Sequence, residues 1–157
     1  MMHPASESHE QIARAVQSLL SHYLKINVRL ESKEFNDFLS ATSGDKNPAD
    51  MFQFGWSADY PDANNFLNET FHPFKSENRI GWSNKEFAEL MDQAERGSDP
   101  KKRKAMYKRA EQILCEEEAA IVPIYFETVH CLVKSGIRNW YYMSIGGQRI
   151  RDWYLER

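Results

Sequence analysis

Met51-Phe52-Gln53-Phe54-Gly55-Trp56-Ser57-Ala58-Asp59-Tyr60-Pro61-Asp62-Ala63-Asn64-Asn65-Phe66-Leu67-Asn68 passes from a short apolar run straight into a segment crowded with aromatic, acidic and amide groups. Met51 to Gly55 reads as a buried strand. Pro61 and the surrounding Asp and Asn residues then force turns, because proline cannot extend a ladder and Asx side chains bond local backbone donors. A strand therefore ends where Trp56 and Asp59 begin. In open α/β sheets ligands bind in the crevice outside the carboxyl ends of strands, so an indole face and a carboxylate at this exit suit one wall of a site.

Upstream, Ile12, Val16, Leu19, Leu20 and Tyr23 recur at helical spacing over Glu10 to Leu24, and Ile26, Val28 and Leu30 alternate with polar residues as in a strand. Phe35, Phe38 and Leu39 predict a short helix, and Ser43 to Asn47 a loop. Strand, helix and strand in succession imply a right-handed crossover, with Ile26 to Leu30 and Met51 to Phe54 adjacent and parallel. Downstream, Ser83-Asn84-Lys85-Glu86 predicts a capping box on Ser83, opening a helix whose apolar stripe is Phe87, Leu90, Met91 and Ala94 and which ends at Gly97. Asp99-Pro100 caps and starts a second helix carrying Met106, Ala110, Ile113 and Leu114 inward, so a helical hairpin is expected. Ala119 to Phe126 and Val129 to Val133 read as strands, the first an edge or bulge because of Pro123. Trp140 to Met143 and Ile150 to Leu155 read as further strands split by Gly146-Gly147.

The stretch from Trp56 to Asn68 resembles the oligopeptide- and dipeptide-binding family of ABC-importer solute-binding proteins, in which a Trp-x-x-Asp followed by Asp, Asn and Phe-Leu lines the cleft. Gly81-Trp82-Ser83-Asn84-Lys85-Glu86-Phe87 is similar to that family's entry into a helix. Arg103 to Leu114, followed by Ala120-Ile121-Val122-Pro123-Ile124-Tyr125-Phe126, is similar to its long helix and the Pro-containing strand after it. The likeness runs from the first helix to about Val133. It implies an α/β fold: a partial lobe of the type II periplasmic-binding-protein kind, a mixed sheet with flanking helices. Residues 1–157 would form a single C-terminal lobe of a two-lobe protein, with about 137–157 returning to the other lobe. Aromatic surface left uncovered there favours self-association.

The implied function is capture of a peptide ligand outside the cytoplasm and its delivery to a membrane ABC permease. By the same likeness Asp59 accepts from the peptide's free ammonium, Trp56 forms a wall against the extended peptide, and Ser57 offers main-chain groups. The residues taken alone also allow Asp59 to be a turn aspartate and Trp56 a core residue. Asp62, Asn64, Asn65 and Asn68 read as turn and cap residues. Ala63 departs from the proline of many members, which alters the turn more than the ammonium site. Two alternatives stand beside peptide capture: another solute, such as an oligosaccharide, nickel chelate or haem, or a lobe kept as a protein-interaction module.

Composition narrows the remaining classes. The chain has 157 residues, enough for one domain, and its 13% aromatic content supplies core side chains that disordered chains lack. A net charge of -3, from 20 basic and 23 acidic residues that are interspersed, leaves no basic face for nucleic acid. No secretion leader is recognisable after Met1-Met2-His3-Pro4, and no apolar run approaches the ~20 residues of a membrane span. His3, His9, His22, His72 and His130 show no metal spacing, and no nucleophile elbow, phosphate loop or dinucleotide fingerprint is present, so neither enzyme nor cofactor is expected. Cys115 and Cys131 allow one disulfide at most, with two unbridged thiols the simpler expectation.

Overall fold

Met2 and His3 are almost wholly buried, and the short strand they begin, β1 (Met2–Pro4), organises the first half of the chain. The computed structural model describes residues 1–43, 47–143 and 145–156. β1 pairs in parallel with β2 (Glu31–Lys33), Met2 opposite Glu31. On its other side Met2 forms a parallel bridge to Phe52, with Met2 N–H donating to Met51 O at 2.8 Å and Gln53 N–H to Met2 O at 2.9 Å. The two segments expected to be adjacent strands are therefore not paired with each other: β1 lies between β2, which begins only after Leu30, and Phe52. Met51 to Gly55 is not the buried strand expected, since it joins the sheet by that single bridge and leaves Met51, Phe54 and Gly55 exposed. Three residues carry too little periodicity to announce a strand, and β1 takes the central place by offering a ladder to both sides.

The first expected strand is also displaced. Ile26 to Leu30 is not a strand; its apolar content serves to bury Val28, whose carbonyl accepts from Gln17 Nε2 at 2.6 Å, and pairing begins only at Glu31. Helix α1 (Glu7–Leu24) precedes it, capped by the Ser6 hydroxyl, which accepts from His9 N–H, and closed by Lys25 in the left-handed region at φ 58°. Ala13 is buried, while Leu19, Tyr23 and Leu24 on the same helix are exposed. α2 (Phe35–Ala41) presses Phe38 into the sheet's underside, and Phe38 meets Phe52 edge-on at 6.4 Å.

The second half is a helical core. α3 (Ala63–Phe71), α4 (Lys85–Arg96) and α5 (Pro100–Glu111) enclose Leu67, Phe87, Met91, Ala94, Tyr107, Ala110, Ile113 and Leu114. The expected hairpin of α4 and α5 is present: Gly97 ends α4, and Asp99 caps α5 by accepting from the N–H groups of Lys101 and Lys102. The N-cap of α4 is Asn84 rather than Ser83, its side chain accepting from Phe87 N–H at 2.9 Å. Glu86 then binds Arg109 of α5 instead of reaching back over its own helix end. The amide of Asn84 wins because it also donates to Glu118, which takes the Trp82 indole N–H on its other oxygen. Beyond Glu111 the helix widens into π geometry over Gln112–Glu117.

From Ala119 to Val133 the expected strands do not form. Residues 122–135 are exposed throughout, with Phe126 at 96%, and among the described residues no second strand lies beside them. An apolar segment becomes a strand only where a neighbour offers its own backbone groups. The end of the chain holds a two-residue antiparallel pair, β3 (Ile137–Arg138) with β4 (Tyr154–Leu155), so the sheet character is mixed but divided between two separate ladders. Trp140 to Met143 is not a strand, and Ile150–Asp152 is a 3-10 turn. Cys115 is half-buried, Cys131 exposed, and both are free.

Candidate functional site

The chain leaves the sheet at Phe52 with its aromatic side chains in a row. Phe52 meets Phe54 edge-on, and Phe54 lies tilted by 32° against Trp56, each pair of ring centres 6.4 Å apart. Arg79 sits over the Phe54 ring at 5.3 Å and donates to Leu39 O, Thr42 Oγ1 and Ser43 Oγ at the end of α2. That cation ties the aromatic row to the helix beneath the sheet.

The turn that follows is set by the first residues of α3. Asp62 Oδ1 accepts from Asn64 N–H at 2.9 Å, which caps the helix, and both Asp62 oxygens accept from the Arg103 guanidinium of α5 at 2.9 and 3.0 Å. Burial alone would raise the Asp62 pKa. The Asn64 N–H and the Arg103 charge outweigh it and hold the carboxyl below its ordinary range. Asp62 therefore joins the turn to the helical core, as its reading as a cap residue implies.

Asn65, fully buried one helical step later, reaches back to the turn. Its Oδ1 accepts from the Trp56 indole N–H at 2.8 Å and from the Asp59 backbone N–H at 3.2 Å. Its Nδ2 donates to Glu69 Oε2 at 2.8 Å. Tyr60 closes the arrangement by donating its hydroxyl to Glu69 Oε1 while accepting from Asn64 Nδ2 at 2.8 Å. The Glu69 carboxylate pushes the Tyr60 hydroxyl's pKa up.

Trp56, Ser57 and Asp59 are brought together on one exposed stretch at the strand exit. Trp56 is 41% exposed, so it is not a core residue. Among the described residues Asp59 is held only through its backbone N–H, from which Asn65 accepts. Among the described residues its carboxylate makes no hydrogen bond or ion pair, and the turn-capping role belongs to Asp62. An anion and an aromatic face presented in this way can take a cationic group with an adjoining extended chain. A groove of about 710 Å³ opens nearby between α3 and α5, lined by Asp62, Phe66, Leu67, Arg103 and Tyr107 and bordered by Phe126. Trp56, Ser57 and Asp59 do not line it.

Sequence reasoning missed the reach of Asn65 and Arg79. Asn65 carries an ordinary cap signal, and its bond to Trp56 spans nine residues across a turn, while Arg79 binds α2 from 36 to 40 residues away. No metal-holding cluster of His, Cys, Asp or Glu occurs among the described residues, and no helix there is long and apolar enough to cross a membrane.

No family model matches the chain. It is 40% identical over 121 residues to the dipeptide-binding protein DppE of Bacillus subtilis, a match covering 75% of this chain and 21% of that protein. It is 34% identical over 127 residues to a probable deoxycholate-binding periplasmic protein, YgiS of Escherichia coli, covering 80% of this chain and 23% of the relative. In structure it is similar to Haemophilus influenzae OppA in complex with RPPGFSPFR, with a TM-score of 0.81 and 28% identity over 98% of this chain and 30% of the other. The chain thus spans about a fifth to a quarter of the length of the curated relatives it matches.

Proposed function

We propose that this chain, which belongs to the oligopeptide- and dipeptide-binding family and shares part of its type II periplasmic-binding-protein fold, is a peptide-binding lobe. In the longer receptor it would act outside the cytoplasm and pass its ligand to a membrane ABC permease. Relatives with the likeness described above are substrate-binding transport proteins rather than enzymes. The lobe is the C-terminal one, with residues about 137–157 returning to its counterpart.

The observation that carries the reading is the Asp59 carboxylate, exposed and without a partner among the described residues, yet fixed in place through its own N–H beside Trp56. Asp59 accepts from the peptide's α-ammonium, Trp56 flanks the first residues, and Ser57 supplies main-chain bonds, which give affinity without regard to side chains. Closure of a second lobe would desolvate the ion pair and raise its worth. On this side alone the ligand stays in water, so capture belongs to the whole receptor. The uncovered apolar strip from Val122 to Val133 supports self-association of the lobe when its counterpart is missing.

The test uses the receptor containing this chain joined to its second lobe. Acetylating a peptide's amino end removes the ammonium and should weaken binding by about 2–5 kcal/mol, as for a buried charge pair robbed of one partner. Asp59→Asn should weaken free peptides strongly and acetylated ones little, with an unchanged melting transition. Equal affinity for free and acetylated peptides, read by calorimetry, refutes the ammonium anchor. A second reading, a solute without an ammonium, is favoured by the likeness to the probable deoxycholate-binding relative, and the same titration with an uncharged or anionic solute separates the two.

A further inference from the structure

We infer that Asn65 is the positioning residue of this site, the one side chain that fixes the Trp56 indole and the Asp59 backbone in a single relation; its bearing on ligands rests on the peptide-binding reading above. What each neighbour can donate or accept fixes the orientation of the Asn65 amide. An indole N–H and a backbone N–H only donate, and an ionised carboxylate only accepts. Asn65 faces both donors with its carbonyl oxygen and the Glu69 carboxylate with its amide nitrogen, so its amide has one orientation and no reason to turn over.

Burial makes the arrangement obligatory. Asn65 is 0% exposed, and a buried amide without partners is strongly disfavoured, so the fold keeps these bonds or loses the position of the side chain. Trp56, by contrast, is 41% exposed, and the ring it lies against, that of Phe54, is itself exposed. The bond to Asn65 sets the angle of the indole, and the same oxygen sets where the Asp59 backbone lies. Glu69 holds the amide from behind and is held in turn by Tyr60. Asn65 itself offers the ligand nothing, since it is fully buried. It acts through Trp56 and Asp59.

The first measurement uses the chain itself, with the Trp56 indole N–H signal assigned in a ¹⁵N spectrum by comparison with Trp56→Phe. In Asn65→Leu, a substitution of similar size, the indole signal should move toward that of a solvated tryptophan. Its exchange with water should rise by about tenfold or more, the measure of one lost buried hydrogen bond. Asn65→Asp should do likewise, because its carboxylate meets that of Glu69. Adding Glu69→Gln to Asn65→Asp should restore the protected indole: the Gln amide donates to Asp at 65 while its carbonyl still accepts from Tyr60. This pair needs no apolar replacement, so it decides the matter even where Asn65→Leu fails to fold.

An unchanged indole signal in a folded Asn65→Leu chain, or a double variant no better protected than Asn65→Asp, overturns the inference. In the two-lobe receptor the preference for free over acetylated peptides should drop about tenfold in Asn65→Asp and return in the double variant, which a merely structural role would not produce. A wild-type receptor lacking that preference would instead overturn the peptide reading. The indole measurement on the chain decides the role of Asn65 separately.

Discussion

Replacing Asp62 by alanine removes two interactions at once, and the structure allows each to be weighed. The cap on Asn64 N–H is worth about 1 kcal/mol, the usual loss when an N-cap aspartate becomes alanine. The pair with Arg103 is two-pronged, with side chains 29% and 27% exposed, between a surface pair at about 0–1 kcal/mol and a fully buried one. We assign it about 1–2 kcal/mol, since Arg103 keeps Ala94 O and the Tyr107 hydroxyl and is not left without partners. Asp62→Ala should therefore lose about 2–3 kcal/mol in all, and Asp62→Asn, which retains a good cap, about half of that.

Urea unfolding of the chain, followed by circular dichroism at pH 7, reads both values from the shift in midpoint at constant slope. The pH dependence is a second check. The folded pKa of Asp62 is depressed, so as pH falls the unfolded chain binds its proton first. The ionic contribution is present above the unfolded value near about 3.9 and is lost as pH falls through the folded one. The gap between wild type and Asp62→Asn should narrow accordingly below about pH 4. Equal losses for Asp62→Ala and Asp62→Asn would refute the cap assignment. A coupling with Arg103→Leu under about 0.3 kcal/mol in a double-mutant cycle would refute the pair.

Two further perturbations probe the helical core and its border. Phe87→Ala, at a fully buried position edge-on to Trp82, should lose about 3–5 kcal/mol, and a calorimetric loss below about 1 kcal/mol would show that the cluster does not hold the hairpin. His72, buried at the end of α3, accepts Phe74 N–H on Nδ1 and turns Nε2 toward Asp92 at 3.5 Å; burial lowers its pKa, against the opposing pull of Asp92, with Lys75 and Glu95 nearby. Its stabilising share should be full above the unfolded value near about 6.5 and decline as pH falls toward the folded one. A wild-type chain whose unfolding midpoint falls no more between pH 7.5 and pH 5 than that of His72→Gln would refute this, the two pH values being set about one unit or more either side of the free imidazole's titration.

Amino-acid order by itself determined the local events. The hairpin of α4 and α5 was legible because Phe87, Met91 and Ala94 before Gly97 and Met106 and Ala110 after Asp99-Pro100 recur at helical spacing, and Gly97 and Asp99-Pro100 act within a turn of themselves. The turn through Asp59, Pro61 and the Asp62 cap was legible for the same reason, through Pro61 and its Asx neighbours, whereas the buried strand read over Met51 to Gly55 shrinks to a single bridge at Phe52. Choosing between Ser83 and Asn84 as the cap was not, because the deciding partner, Glu118, lies 34 residues from Asn84. Only the tertiary structure decided that Met2–Pro4 stands between Glu31–Lys33 and Phe52, that Val122 to Val133 meets no partner strand among the described residues, and that Asn65 takes the Trp56 indole N–H. A strand and a buried amide are completed by groups distant in the chain, and the free energy of each depends on whether those groups arrive; helix caps and turns carry their partners with them.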